Sequence, residues 1–201
     1  MRCRKKPRDA LSVRRLRAWW RHRPRHAILA FFDVQPITVI AYGGRRYTRE
    51  KRLVLARNQK TRGRFYLFLL YEVNRGLVHW AFYPGKGAEY VCRFLRRVRR
   101  WYPQRPVRVA LDRDSAHPLK AHVTRSLMRR LRLNWTSLPK RSPDDNSAEA
   151  IFSDIQQNIL NNSDDPDERT TRGRISRHLR ARNRRPDRFV RIGYLRNTHK
   201  K

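Results

Sequence analysis

Cysteine is almost missing from this chain: Cys3 and Cys92 are its two thiols among 201 residues. Two thiols so far apart build neither a zinc site nor a disulfide framework, and Cys92 sits on an apolar helical pattern that suits a buried thiol. A reducing compartment is expected. Long apolar runs are missing as well. No stretch reaches the roughly 20 uninterrupted apolar residues that a membrane-spanning helix needs, and the basic N-terminus is not followed by the apolar segment of a secretory signal. No internal repeat is evident, so a solenoid or array is not expected. Acidic residues are scarce: 16 Asp and Glu stand against 50 Lys and Arg, a net charge of +34. A polyanion is the natural partner of such a chain. Because the basic residues run along its whole length, nucleic acid is favoured over a membrane surface.

What is present is enough to fold. An apolar fraction of 39% is too high for a disordered polycation, and the length suits one domain with short extensions. A ribosomal-type RNA binder, or a sequence that simply uses arginine freely, would share this composition. The few acids are more selective. Half of them crowd into Asp144–Glu168, so an acid that closes an apolar strand elsewhere stands out against a basic background.

Residues 1–26 read as a basic N-terminal arm or short helix around Leu16, Trp19 and Trp20. The apolar run 27–34 has the length of a buried strand, and Pro36 should end it, which puts Asp33 near a strand terminus. Residues 37–47, with Gly43 and Gly44, suggest a hairpin or loop, and 48–61 an insertion. Runs 64–73 and 77–84 flank Asn74-Arg75-Gly76 as a hairpin. Val91, Phe94, Leu95, Val98, Trp101 and Tyr102 recur at helical spacing. Residues 107–112 form a strand ending in Asp112, and Leu119, Val123, Leu127, Met128 and Leu131 mark a second helix. A short strand over 133–138 follows, then a helix capped by Asn146 that buries Ala148, Ile151, Phe152, Ile155 and Ile159. This order predicts an α/β fold of the ribonuclease-H-like kind: a mixed sheet, made of an antiparallel meander plus parallel strands, flanked by helices. The catalytic domain is expected over 27–160, with 161–201 as a basic C-terminal helix and tail.

Three carboxylates can therefore converge: Asp33 and Asp112 at strand ends and Glu149 at a helix mouth. Cleavage of a phosphodiester with two metal ions needs hard oxygen ligands that hold Mg²⁺ or Mn²⁺ in pairs. Asp33, Asp112 and Glu149 are the candidate catalytic and metal-ligating residues, with two ions per site. Each acid also has a plainer explanation. Asp33 and Asp112 suit Asx turns that end strands, and Glu149, three residues after Asn146, has the spacing of a capping box.

The segment Leu111-Asp112-Arg113-Asp114-Ser115-Ala116-His117, followed by Leu138-Pro139, Ser142-Pro143-Asp144, Asn146 and Glu149 before Phe152-Ser153, resembles the catalytic core of mariner-type DDE transposases, in their bacterial insertion-sequence branch. The resemblance covers about Ala27 to Leu160. It aligns Asp33, Asp112 and Glu149 with the family's three catalytic acids and His117 with its histidine. Arg113 stands where the family usually has Asn. His117 and Asn146 are possible accessory residues, His117 either toward the metal or DNA or as a structural residue. The resemblance implies metal-dependent DNA strand cleavage and strand transfer, with transposon ends and target DNA as partners and synapsis by a homodimer. It also implies a helix-turn-helix region for end recognition, expected either to be lost or to be supplied by a separately encoded partner. Alternatives are a nuclease that does not join strands and an inactive basic DNA-binding remnant. Arg93, Arg96, Arg97, Arg100, Arg129 and Arg130 are the candidate DNA-binding residues, within Arg-rich stretches over 93–100 and 125–132, with 172–191 as a third candidate surface, and a bacterial, nucleoid-associated cytoplasmic location is expected.

Overall fold

The apolar run that opens at Ala27 becomes β1 (Ile28–Val39), the central strand of the computed structural model, which describes residues 7–41, 60–111, 121–138, 146–161 and 163–186. Its first five residues are completely buried because both faces are covered. Leu29 and Phe31 pack into one apolar layer, and Ile28, Ala30 and Phe32 into the other. Alternation at a period of two along a strand produces this division. β2 (Gly63–Glu72) pairs antiparallel with β1, Asp33 lying opposite Leu69, and β3 (Leu77–Tyr83) pairs antiparallel with β2. β4 (Val107–Leu111) pairs parallel with β1 on its other side, and β5 (Leu133–Ser137) parallel with β4. The order β3-β2-β1-β4-β5 is the expected ribonuclease-H-like mixed sheet.

Pro36 does not end β1. The strand continues to Val39, and Pro36 lies opposite Tyr66. Pairing with β4 stops at Phe32, so the outer half of β1 pairs with β2 alone and one of its edges is unladdered. Proline is tolerated there because no ladder bond is demanded of its missing N–H. The expected loop and insertion over 42–59 lie outside the described residues.

Two helices, α2 (Ala88–Trp101) and α3 (His122–Arg130), cover one face, with Val91, Phe94, Leu95, Val98, Leu127 and Met128 packed against Phe32 and Leu70. Cys92 is buried in this layer, as expected. The other face is covered by α1 (Pro7–His22), α4 (Ser147–Ile155) and α5 (Glu168–Arg184) through Leu16, Trp20, Ile151, Phe152, Ile175 and Leu179. Past Ile155 the helix widens into a π-helical turn, Gln156–Leu160.

Strand direction sorts the helix ends. β1, β3, β4 and β5 run the same way and β2 runs against them. The helices α2, α3 and α4 each follow one of these parallel strands, so all three begin at the carboxyl end of the sheet and return toward the other end. α5 also begins on that side: Glu168 accepts a hydrogen bond from the Arg64 amide at the start of β2, whereas Asn183 reaches Val78 at the start of β3. The N-termini of α2, α3 and α4, each carrying partial positive charge, thus lie toward the carboxyl ends of the parallel strands, whereas that of α5 lies farther out, beside Arg64, whose partner Thr38 is six residues beyond the last β1–β4 pair.

α5 is fastened along its length. Asn183 accepts from the Val78 amide and donates to the Val78 carbonyl, so one side chain occupies both backbone groups of the exposed edge strand. His178 bonds the Asp154 carboxylate at 2.7 Å, and that bond holds Asp154 below the usual carboxylate range. Arg182 is buried and donates to the Gly76 carbonyl. At the N-terminal end Arg172 bonds Glu168, and Arg174 bonds Asp165. Gly63 makes this docking possible, since a Cβ there would land inside the Glu168 side chain. Gly63→Ala should therefore displace the Glu168 carboxylate from the Arg64 amide and destabilise the fold by about 1–3 kcal/mol. In a Glu168→Ala background the same substitution should cost much less, a coupling that a double-mutant cycle in urea measures.

Candidate active site at the carboxyl end of the sheet

Asp33 lies one residue beyond the last β1–β4 pair, on the face covered by α4. It is 9% exposed, a carboxylate set among apolar strand residues. Burial of an ionised carboxyl is costly unless donors surround it. Here the Val34 amide donates to Oδ1 at 2.7 Å, and the Asn146 side-chain amide donates to Oδ2 at 3.2 Å. The Val34 bond goes to the next residue and not two residues on as in an Asx turn, and Asp33 lies within β1 and not at its expected end, so the plainer reading of Asp33 does not hold. The Asn146 bond is not local, since it joins the centre of the sheet to the start of α4 across 113 positions of chain.

Asn146 has a second task. Its Oδ1 accepts from the Ala148 amide, so it is the N-cap of α4, as expected. The bond goes to the second helical residue, whereas a capping box would use the third; the Glu149 amide bonds the Asn146 backbone carbonyl instead. Glu149 sits half-buried in the first turn. Glu149 thus belongs to the helix turn whose N-cap residue bonds Asp33. Asp112 and His117 lie outside the described residues. Asp112 directly follows Leu111, which pairs with Phe32, and comes two positions after Ala110, which packs in the α4 layer. Among the described residues no three acid, histidine or cysteine side chains form a metal-ligating group.

A family model described as "DDE superfamily endonuclease" matches residues 29–172. The chain belongs to that superfamily. Solved structures agree on the fold. The catalytic domain of Mos1 mariner transposase aligns with a TM-score of 0.62 at 11% identity, covering 90% of this chain and 85% of that one. The Mos1 strand transfer complex aligns at 0.67 and 11%, covering 89% of this chain and 54% of the other. The Mos1 mariner paired end complex with Mn aligns at 0.65 and 13%, covering 90% and 57%. The chain thus spans little more than half the length of these longer Mos1 chains. A comparison of the sequence with curated proteins finds no match.

In this DDE domain the arginines of α2 and α3 expected to bind DNA do not gather around Asp33. Arg93, Arg96, Arg97, Arg100, Arg129 and Arg130 are all exposed, but they lie on α2 and α3, across the sheet from α4. Arg100, Arg129 and Arg130 occupy the last turns, at the far end of the sheet. Basic residues in last turns complement the helix dipole. Their neighbour Arg99 caps carbonyls outright, donating to those of Tyr102, Pro103, Arg105 and Arg132.

That far end also holds a buried polar cluster that no motif announced. Glu72 is completely buried at the end of β2. Arg75 bonds both its oxygens, and the Tyr102 hydroxyl donates to Oε2 at 2.7 Å. His79 meets the same hydroxyl at 2.7 Å and stacks on Trp101. Burial raises the Tyr102 pKa, with Glu72 adding to the shift, and burial pushes His79 down to about 4. The only sequence signal was an acid preceding the turn Asn74-Arg75-Gly76, which reads as ordinary hairpin chemistry.

Two outcomes follow from these geometries. Because unfolded histidine titrates near 6.5, the unfolded chain takes up a proton that folded His79 refuses. Stability should therefore be full above pH ~6.5 and fall by up to about 3 kcal/mol as pH drops toward ~4, and His79→Gln should flatten that part of a denaturation profile. Asn146→Ala should remove the cap and the Asp33 donor together and cost about 1–3 kcal/mol. Asn146→Ser, which keeps a capping oxygen, should recover about 1 kcal/mol of that loss, as read by chemical denaturation.

Proposed function

We propose that this chain is the catalytic domain of a mariner-type transposase and that Asp33, Asp112 and Glu149 are its catalytic acids. The observation that carries the reading is the Asn146–Asp33 hydrogen bond. It joins a buried carboxylate on the central strand to the helix turn that bears Glu149, beside the strand whose next residue is Asp112. A stability role alone would not require an acid at all three positions, and the donor set is the hard oxygen chemistry that Mg²⁺ and Mn²⁺ prefer. The Mos1 complexes with Mn and with Mg support the same class of ion. A bound pair of such ions would supply charge neutralisation at the scissile phosphate and activation of the attacking oxygen.

The protein's own part is positioning. Asn146 and the Val34 amide hold the plane of the Asp33 carboxylate, and the α4 N-cap orders the turn that carries Glu149. The N-terminus of α4, capped beside Asp33, adds partial positive charge that favours a phosphodiester. In the first step water adds to phosphorus and the 3′ oxygen leaves with a proton. In the second, the freed 3′-hydroxyl attacks a phosphorus of the target strand in line and displaces its 3′ oxygen. Transposon ends and target DNA are the substrates under this reading, and joining two ends calls for two copies of the chain. The Mos1 strand transfer and paired-end complexes support DNA as the partner class.

The test is a nicking and strand-transfer assay with the full chain, supercoiled plasmid and end-bearing oligonucleotides in Mn²⁺ or Mg²⁺. Asp33→Asn, Asp112→Asn and Glu149→Gln should each lower cleavage by about 100-fold or more, equivalent to about 2.7 kcal/mol of transition-state stabilisation. Joined products from precut ends distinguish a transposase from a nuclease that only cuts. Binding without metal-dependent nicking, unchanged by Asp112→Asn, would instead identify an inactive remnant.

A further inference from the structure

We propose that the outer face of α5 is a docking surface for the sugar-phosphate backbone of duplex DNA. The proposal rests on the reading of this chain as a DNA-processing domain and names the track along which its substrate lies. Arg169, Gly173, Arg177, Arg180 and Arg184 are exposed and recur at intervals of four, four, three and four, which aligns them on one side of the helix. The stripe is about 22 Å long at 1.5 Å per residue and contains no acid. The arginines on the other sides of α5 are engaged internally: Arg172 with Glu168, Arg174 with Asp165 and Arg182 with the Gly76 carbonyl. Arg177, Arg180 and Arg184 form no ion pair among the described residues. Arg169 has Asp167, the exposed N-cap carboxylate, as its charged neighbour.

Three features of this face oppose helix stability, and among the described residues only Asp167, beside Arg169, offsets any of them. Arg177, Arg180 and Arg184 repel one another at spacings of three and four. Arg169 lies in the first turn, where the helix dipole disfavours a cation. Gly173 stands in an exposed helix interior, although glycine is the poorest helix former after proline. A Cβ at Gly173 would meet nothing within 4 Å, so no packing demands the glycine. A partner that needs close backbone approach between arginines, and whose negative charge relieves their repulsion, accounts for all three. The phosphate backbone of a duplex has that chemistry. The location fits as well, because α5 starts on the side of the sheet's carboxyl end, as α4 does, and runs to the opposite end.

The experiment measures duplex DNA and heparin binding by the full chain across a salt series, with nicking assayed in parallel. In Arg177→Gln/Arg180→Gln/Arg184→Gln the slope of log K against log[salt] for duplex should flatten by about 2.7, at about 0.9 per phosphate contact, and affinity should fall at least about tenfold. Gly173→Leu should weaken duplex binding about tenfold and raise the melting temperature, while heparin binding changes little. An unaltered slope in the triple variant, parental duplex affinity in Gly173→Leu, or a parent chain that binds no duplex would each overturn the surface. If the surface variants behave as expected but the parent does not nick, the surface stands and the catalytic reading fails. If the parent nicks and the variants bind normally, the reverse holds.

Discussion

One side-chain amide ties the sheet to the helix layer where the chemistry is read. Asn146 donates to Asp33 on β1 while its oxygen caps α4. Neither bond alone is unusual. Together they make the conformation of the α4 entry and the orientation of a buried carboxylate a single constraint. For a carboxylate with 9% of its surface exposed, amide donors replace part of the water it has lost. The same donors restrict how it can turn. Preorganisation of this kind is what a positioned catalytic group requires.

The polarity of the molecule follows from strand direction. Parallel addition of β4 and β5 to β1 makes each intervening helix return down a face, so helix N-termini collect at one sheet end and C-termini at the other. The N-terminal end favours anions and holds Asp33 and Asn146. The C-terminal end collects the last-turn arginines of α2 and α3 and the buried Glu72–Tyr102–His79 cluster. Ligands of open α/β sheets bind beyond the carboxyl ends of the strands, and charge placement here obeys the same geometry. Net charge of +34 therefore says little by itself about where a phosphate would sit.

α5 shows how an edge strand and a basic surface can share one element. Its inner side closes β3 through Asn183 on both backbone groups of Val78, a direct protection of an edge that would otherwise offer itself to another chain. Its flanks hold the internal Arg172–Glu168 pair and bind Asp165 and Asp154, and its outer side keeps arginines that form no ion pair among the described residues. Within a single helix, arginine serves as a buried carbonyl donor at Arg182, as a salt-bridge partner at Arg172 and Arg174, and as an outward cation at Arg177 and Arg180.

By itself the sequence determined the periodicities: the buried β1 run, the hairpin around Asn74–Gly76, the amphipathic α2 and the Asn146 cap were all legible because they arise from neighbouring residues. The family resemblance likewise lay in a short linear motif around Asp112 and Glu149. Tertiary structure alone decided the rest. Pro36 remained within β1 because the far half of the strand lost its β4 neighbour, a fact of register that no local pattern encodes. Glu72 and Tyr102 became a buried pair because the end of β2 meets the end of α2. The arginines of α2 and α3 came to lie across the sheet from Asp33, and those of α5 divided into engaged and outward sets. Burial and charge proximity depend on which distant segments meet, and a linear pattern specifies a face without specifying what covers it.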